Sequence, residues 1–133
     1  YNDSSVSEFL NDSEDLPAAI GPYSQAVRTG NLLLLSGQIA VDPETGKMID
    51  GDVSAQLDLI MRNISRFLVN QQLSLKNIVK VVIYMTNMQD YSRINDVYSR
   101  WLEDHRPVRA AVAVSALPAN AAIELVVTAE LAN

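Results

Sequence analysis

The spacing of apolar residues predicts a long amphipathic helix in the first half of the chain. After Asp52 they recur every three or four positions, as a helix with one buried face requires: Val53, Leu57, Ile60, Ile64, Phe67 and Leu68. Asp52 or Ser54 can cap its N-terminus, and the helix should end near Gln72.

A second, aromatic stripe predicts another helix. This helix begins at Met88 or Ser92, ends at Leu102 and carries, at helical spacing, Tyr91, Ile94, Tyr98 and Trp101. Aromatic residues in such a stripe are better explained by core packing than by a binding site.

The remaining apolar segments alternate with turn-forming residues and predict five strands. Gly30-Asn31 forms a hairpin turn between the first two strands, and residues 42–46 (DPETG) form a loop. The third strand is apolar at almost every position, which is typical of a strand covered on both faces. The predicted strands span residues 23–29, 32–36, 78–85, 109–115 and 123–131.

The resulting order, β-β-α-β-α-β-β, predicts an α+β fold in which both helices pack on one face of a mixed sheet. Two helices cannot also cover the opposite face, yet the last two strands are apolar at both alternating positions. A second copy of the same sheet is the natural cover, so we expect an oligomer.

The first 16 residues differ from the rest of the chain. They hold five acids and no base, whereas the remainder holds 11 acids and 10 bases, so nearly all of the net charge of −6 lies here. Residues 5–8 match a capping box and predict a short helix, whose apolar edge of Val6, Phe9 and Leu10 would dock on the body or on a neighbouring subunit. We therefore expect an acidic arm over residues 1–16 and a single domain over residues 17–133.

Composition narrows the chemistry. The chain has no cysteine and a single histidine, His105, which excludes a thiolate nucleophile and a His-rich metal site; we expect His105 to be a loop residue. No basic stripe with interleaved aromatics is present, which argues against nucleic acid as a partner. No apolar run reaches the roughly 18 residues of a membrane span. The acidic arm is unlike a transit peptide, so the compartment stays open: the cytoplasm is the default, with the mitochondrion as the alternative in a eukaryote.

Arg109 and Glu124 bound the most apolar part of the chain, and no ionisable side chain lies between them. Desolvating a charge is costly unless it is paired or used, so on neighbouring strands of a buried hairpin the two residues form either a structural ion pair or parts of a site. The register of that hairpin stays open. A turn centred near Leu117 places them roughly opposite, and a turn two residues later offsets them by about four residues, or roughly 13 Å.

Several short motifs occur in a characteristic order. They are residues 17–26 (PAAIGPYSQA), 30–31 (GN), 35–39 (LSGQI), 42–46 (DPETG), 77–80 (NIVK), 94–95 (IN), 107–109 (PVR), and 117–118 (LP) followed by 123–124 (IE). In this order, over roughly residues 17–132, the chain resembles the Rid family, also called YjgF/YER057c/UK114 or L-PSP endoribonucleases. No single motif is specific, but the ordered set is.

The resemblance implies a chorismate-mutase-like (YjgF/L-PSP) fold and a homotrimer with active sites in three clefts between subunits. It also implies a cofactor-independent activity, with no metal: hydrolysis of reactive 2-imino acids, such as 2-iminobutanoate and 2-iminopropanoate, to 2-oxo acids and ammonia. These imines arise as enamines from pyridoxal-phosphate dehydratases that act on threonine or serine, so the protein would limit metabolite damage.

Taken residue by residue, the resemblance places the family's carboxylate-binding arginine at Arg109 and its water-positioning glutamate at Glu124. Further substrate contacts fall on Tyr23, Ser36, Asn95 and Ala111, the last through its backbone N–H. Three of these also have a purely structural explanation: Tyr23 as a half-buried turn aromatic, Ser36 as a strand-end hydroxyl bonded to backbone, and Asn95 as an exposed helix residue.

The residue types suit the chemistry. A guanidinium fork binds a planar carboxylate bidentately, which lysine cannot do. An imine is already electrophilic and needs only a positioned water and a group that moves protons, and Glu124 can accept a proton from that water and later return one to the departing ammonia. Apolar surroundings would raise the pKa of Glu124 and a nearby Arg109 would lower it; the sequence does not decide between these effects.

The chain also departs from the family pattern. The loop before Pro107 is about three residues shorter than is common, Arg106 replaces an aromatic residue, and Val108 replaces an alanine. These differences leave the cleft wall and the preferred substrate size open.

Two other functions remain as alternatives. One is an RNA-cleaving translation inhibitor, which the family's older name suggests but which the near-neutral body, the acidic arm and the single histidine argue against. The other is a non-catalytic trimeric binder of small carboxylates. Such a binder would use Arg109 but would have no need of Glu124.

Overall fold

The computed structural model describes residues 6–131 and contains eight strands and two α-helices over that range. The strands are β1 (Glu8–Leu10), β2 (Ala26–Thr29), β3 (Leu32–Leu35), β4 (Val41–Asp42), β5 (Lys47–Met48), β6 (Ile78–Met85), β7 (Val108–Ala113) and β8 (Ile123–Glu130). The helices are α1 (Val53–Asn70) and α2 (Tyr91–Leu102). β4 and β5 form a small hairpin, and the other six strands form one sheet in the order β1-β2-β3-β8-β6-β7. The predicted α+β fold is confirmed.

α1 begins and ends close to the predicted positions. The Asp52 side chain accepts a 3.0 Å hydrogen bond from the backbone N–H of Ala55 and so caps the first turn. The predicted apolar stripe is buried along its whole length, with Phe67 completely inaccessible. The helix ends at Asn70, just before Gln72 takes a left-handed conformation with φ 62°.

α2 follows a 3₁₀ turn (Met88–Asp90) and ends at Leu102, as expected. Its buried face is rotated relative to the predicted stripe. The fully buried positions are Ile94, Val97, Tyr98 and Leu102, whereas Tyr91 is exposed. Trp101 is half-buried, and its indole N–H donates to Asp58 of α1 at 2.9 Å, which ties the two helices together.

One face of the sheet packs against the helices. Alternate residues of the central strands point towards them and are at most 1% exposed, namely Leu33, Val81, Ile83, Leu125 and Val127. Each such side chain contributes roughly 1.5–3 kcal/mol by burial. Within residues 6–131, no helix is long and apolar enough to cross a membrane.

The other face of the sheet, which we call the open face, is mainly apolar but is interrupted by Thr128 and Lys80. Registered neighbours across the sheet define it: Phe9, Val27, Leu34, Val126, Val82, Val108, Ala110 and Val112. Phe9 is 64% exposed and Val108 is 68% exposed. Over residues 6–131 both helices lie on the opposite side, so the expected cover by a second copy remains a prediction.

The predicted short helix in the arm is wrong where the structure describes it. Residues Glu8–Leu10 form β1, which pairs with β2 so that Phe9 lies opposite Val27. The edge of β2 offers unpaired backbone groups, and pairing with them outweighs the local preference of a capping box. Ser5, the proposed cap, lies outside the described residues.

The predicted hairpin of the last two strands is also wrong. β6 lies between β7 and β8 and runs parallel to β7 and antiparallel to β8. The connection between β7 and β8, residues 114–122, carries the chain across β6. Only one face of β6 is covered in the subunit: Val81 and Ile83 are buried against the helices, whereas Val82 lies on the open face.

Candidate active site

Arg109 is held above an aromatic pair on α2. It lies on the edge strand β7 opposite Val81, so its side chain faces the helices. Its Nη2 donates a 3.0 Å hydrogen bond to the hydroxyl of Tyr91, and its guanidinium carbon lies 4.9 Å from the centre of the Tyr98 ring. Among residues 6–131, no carboxylate lies within salt-bridge distance of this guanidinium. Arg109 is therefore oriented but not neutralised by the described part of its own subunit.

Two further candidates lie on the same side as Arg109. Asn95 is half-exposed and shares the helix face of Tyr91 and Tyr98, four and three residues away. Ala111 follows Arg109 by two residues on β7, faces Ile83 and packs partly on the core. The Arg109 group thus contains Asn95 and Ala111.

The ring of Tyr98 stays neutral beneath the cation. Burial raises the pKa of Tyr98, and the nearby Arg109 and Arg106 oppose that shift. Its hydroxyl is buried and has no hydrogen-bond partner among the described residues. Tyr98 thus contributes its ring face to Arg109 rather than its oxygen.

Glu124 lies on β8 opposite Tyr84, and its side chain is on the open face of the sheet. Burial raises the pKa of Glu124, and desolvation is the cause of that shift. Within one subunit, burial therefore sets the direction that the sequence left undecided, and the Arg109 of the same subunit does not contribute. The carboxyl group lies directly against Gly37, because a Cβ built on that glycine would be 2.2 Å from Glu124 Oε2.

A bulge shapes the chain around Gly37. Leu34 lies opposite Thr128 and Gln38 lies opposite Leu125, so four residues on one side span three on the other. Inside this bulge, the hydroxyl of Ser36 donates a 2.5 Å hydrogen bond to the carbonyl of Ser24. This contact is the structural role expected for a strand-end hydroxyl. The Ser36 oxygen can still accept a hydrogen bond.

A cavity of about 230 Å³ adjoins the bulge and is lined by residues that include Tyr23, Ser36 and Gly37. Its remaining walls are mainly apolar, and Tyr23 is half-exposed at its rim. An apolar cavity of about 150 Å³ accepts benzene, so this one has room for the side chain of a small acid. The Glu124 group thus contains Tyr23 and Ser36.

The structure does not bring the six candidates into one cleft within a subunit. Arg109 is registered with Val81 and Glu124 with Tyr84, on opposite sides of β6 and on opposite faces of the sheet. Three residues along β6 and two strand spacings across it separate their Cα atoms by about 14 Å. Neither the direct ion pair nor the predicted hairpin contact forms; the candidates fall into an Arg109 group and a Glu124 group.

Sequence reasoning missed two contributors. Tyr91 was assigned to the core, although it is 38% exposed and binds Arg109. Gly37 was only part of a motif, and nothing local to it indicates that Glu124 would lie against it. His105 is a loop residue as expected, with Nε2 at 2.7 Å from the carbonyl oxygen of Ile78.

The fold and these two groups define an α+β protein with a candidate carboxylate site and a candidate acid–base site. Residues 13–131 match the family model described as Endoribonuclease L-PSP. The chain belongs to this family, which is the Rid or YjgF family that the motifs indicated.

Individual relatives support this family membership. The chain is 41% identical over 113 residues to a RutC family protein of Pyrococcus abyssi, which covers 85% of this chain and 89% of that protein. It is 35% identical over 122 residues to the chloroplastic Reactive Intermediate Deaminase A of Arabidopsis thaliana, which covers 92% of this chain and 65% of that protein.

Solved structures show the same fold. A putative endoribonuclease of Thermotoga maritima superposes with a TM-score of 0.88 at 41% identity, over 95% of this chain and 99% of that one. The Escherichia coli protein TdcF, solved with bound serine, gives a TM-score of 0.86 at 33% identity, over 94% of this chain and 100% of that one.

Proposed function

We propose that this protein hydrolyses small 2-imino acids, such as 2-iminobutanoate and 2-iminopropanoate, to 2-oxo acids and ammonia. The observation that carries the proposal is the position of the Glu124 carboxyl group. Burial raises the pKa of this carboxyl, which sits against Gly37 beside the cavity lined by Tyr23 and Ser36. A carboxyl with a raised pKa is suited to accept and return protons near neutral pH.

Arg109 supplies the complementary part of the site. Its guanidinium is held in place by Tyr91 and Tyr98, and no carboxylate among residues 6–131 occupies it. A restrained, unneutralised guanidinium can bind a substrate carboxylate with little loss of side-chain entropy. The serine bound to the relative TdcF carries the same α-carboxylate as a 2-imino acid.

The two groups meet between subunits in this proposal. The protein is a homotrimer in which the Arg109 group of one copy faces the Glu124 group of the next across an intersubunit cleft. Two features support this arrangement: the apolar open face lacks a cover among residues 6–131, and Arg109 lies on an edge strand of the sheet. A single subunit then holds two half-sites, and assembly completes them.

The reaction follows from these positions. Arg109 binds the carboxylate, while Tyr23, Ser36 and Asn95 fix the plane of the substrate by hydrogen bonds. From the protonated imine, a water oxygen adds to the imine carbon as Glu124 accepts one of its protons, which gives a neutral carbinolamine. Glu124 then returns that proton to the amine nitrogen, the C–N bond breaks and ammonia departs. The remaining hydroxyl passes its proton to the Glu124 carboxylate to give the 2-oxo acid.

The test couples the protein to a threonine dehydratase and follows the appearance of 2-oxobutanoate. The wild-type protein should accelerate it, and Arg109→Ala should abolish the acceleration. Arg62→Ala is the matched control, because Arg62 is an exposed arginine on α1 paired with Asp58. Equal rates with and without the wild-type protein would overturn the proposal.

Two further experiments distinguish the alternative functions: a binding measurement on Glu124→Gln and an RNA-cleavage assay. If Glu124 is the acid–base group, Glu124→Gln loses turnover but still binds 2-oxobutanoate, as calorimetry would show. A wild-type protein that binds 2-oxobutanoate without any turnover is a carboxylate binder. Cleavage of a labelled RNA by the wild-type protein, without imine hydrolysis, would instead favour the endoribonuclease activity in the family's name.

A further inference from the structure

Gly37 leaves the space that the Glu124 carboxyl group occupies. A Cβ at this position would lie 2.2 Å from Oε2, 2.9 Å from Cδ and 3.4 Å from Cγ of Glu124. Real Cβ atoms do not approach other heavy atoms to 2.2 Å, so any side chain at residue 37 requires the carboxyl group to move.

The glycine is not required by its backbone conformation. Among residues 6–131, the glycines with positive φ are Gly30, Gly46 and Gly51. Gly37 has a backbone that an alanine can adopt, although it lies inside the bulge between β3 and β8. Space for Glu124 is therefore the physical reason for glycine here.

We propose that Gly37 is a positioning residue for Glu124: its missing side chain lets the carboxyl group lie against the bulge, beside the substrate cavity. The inference rests on the proposed function for what Glu124 does in the reaction. The placement of Glu124 by Gly37 rests on geometry alone and can be tested without any substrate.

Substituting Gly37 should move Glu124 rather than unfold the bulge. The atoms in conflict belong to the flexible end of a side chain, which can rotate towards solvent. The backbone beside Gly37 is held independently, because the N–H of Gln38 donates to Leu125 at 2.8 Å and the N–H of Leu125 donates to Gln38 at 3.0 Å. A rotated carboxyl group would lose its contact with Gly37, which lines the cavity, and would regain water.

The first test is a double-mutant cycle in the coupled imine assay. Gly37→Ala should lower kcat by about 10²-fold, the effect of misplacing a reacting group by an ångström, and should change KM little because Arg109 is untouched. In a Glu124→Ala background, Gly37→Ala should cause no further loss. Wild-type kcat in Gly37→Ala, or an equal additional loss in the Glu124→Ala background, would overturn the inference.

The second test is independent of activity. Titration of the ¹³C-labelled Glu124 carboxyl by NMR should show a raised pKa in the wild-type protein and a return towards the ordinary value in Gly37→Ala. An unchanged titration overturns the role of Gly37 even if the protein hydrolyses imines. A shifted titration in a protein without imine hydrolysis refutes the proposed function and leaves the role of Gly37 standing.

Folding of the variants is checked by circular dichroism. If Gly37→Ala alone does not fold, the double variant Gly37→Ala/Glu124→Ala decides the question. Its recovery supports the steric contact, because the conflicting carboxyl group is gone. If the double variant also fails to fold, Gly37 serves the backbone and the inference is wrong.

Discussion

Arg109 and Tyr91 are joined by a 3.0 Å hydrogen bond from the guanidinium to the phenol oxygen. Seven residues along α2, Tyr98 lies beneath the same guanidinium but presents only its ring, with the guanidinium carbon 4.9 Å from the ring centre. The guanidinium carbon also lies 5.6 Å from the centre of the Tyr91 ring, so both tyrosines contact Arg109 through their rings and only Tyr91 adds a hydrogen bond. Their hydroxyl groups form a matched pair for experiment, since only that of Tyr91 contacts the arginine.

Removing the Tyr91 hydroxyl should weaken substrate binding. Tyr91→Phe keeps the ring but frees Arg109 Nη2, so KM for the imine should rise roughly three- to tenfold, the worth of one hydrogen bond, with kcat nearly unchanged. Tyr98→Phe is the control and should leave KM as it is. Steady-state kinetics in the coupled assay would contradict this account if both variants raised KM equally.

The pH dependence of the reaction should report Glu124. If Glu124 activates the water as proposed, its active form is the carboxylate, so kcat/KM should rise with pH through the pKa of Glu124. Because burial raises that pKa, the rising limb should lie above the range of an ordinary carboxyl group. The limb is measured as a pH–rate profile of the wild-type protein. A profile that is flat across the acidic range would exclude Glu124 as the base.

The same burial predicts a change in stability. The pKa of Glu124 is higher in the folded state, so folding favours the protonated form and its stabilising effect is lost as pH rises through the folded pKa. Glu124→Gln should therefore melt higher than the wild-type protein at pH 8, by at most a few degrees because the carboxyl is partly solvated. The two proteins should melt alike below about pH 4, where both side chains are neutral. A higher melting temperature of the wild-type protein at pH 8 would contradict this.

The sequence predicted the elements that local periodicity defines. The stripe of α1, the bounds of β6 and the turn at Gly30 all depend on neighbouring residues, and all agree with the structure. The predicted helix in the arm was wrong because a capping box is a local preference, whereas the pairing of Phe9 with Val27 is a contact between distant segments.

The predicted arrangement of Arg109 and Glu124 was wrong for the same reason, because it too depends on contacts between distant segments. Arg109 and Glu124 were expected on adjacent strands because they are close in sequence, but strand order depends on which strand fills the centre of the sheet, and that strand is β6. The contact of Glu124 with Gly37 crosses from one strand to another at a bulge, and no local pattern signals it. The residue types could be predicted, but their division between two faces required the structure.

The buried stripe of α1 should carry much of the stability of the subunit. Phe67 is completely buried, and Phe67→Ala should lower the free energy of unfolding by about 3–5 kcal/mol. Val69, two residues later, is 59% exposed, so Val69→Ala should cost less than about 0.5 kcal/mol. Urea denaturation at a fixed protein concentration compares them, since subunit association would add to both values. Similar midpoints for the two variants would contradict the assigned core.

Charge on the open face should separate the subunits and, with them, the activity. Val108 lies on this face on the edge strand β7 and is 68% exposed in the subunit, while Val69 is 59% exposed on the outer surface of α1. If copies of this chain cover the open face, Val108→Asp buries a carboxylate in the interface, which is costly even beside Lys80, its registered neighbour on β6. Val69→Asp leaves its carboxylate in water.

Light scattering after size exclusion should find monomers for Val108→Asp and trimers for Val69→Asp. Imine hydrolysis should fall with the trimer, because the Arg109 group and the Glu124 group no longer meet. Monomeric Val108→Asp protein with undiminished turnover would show that one subunit completes the site alone.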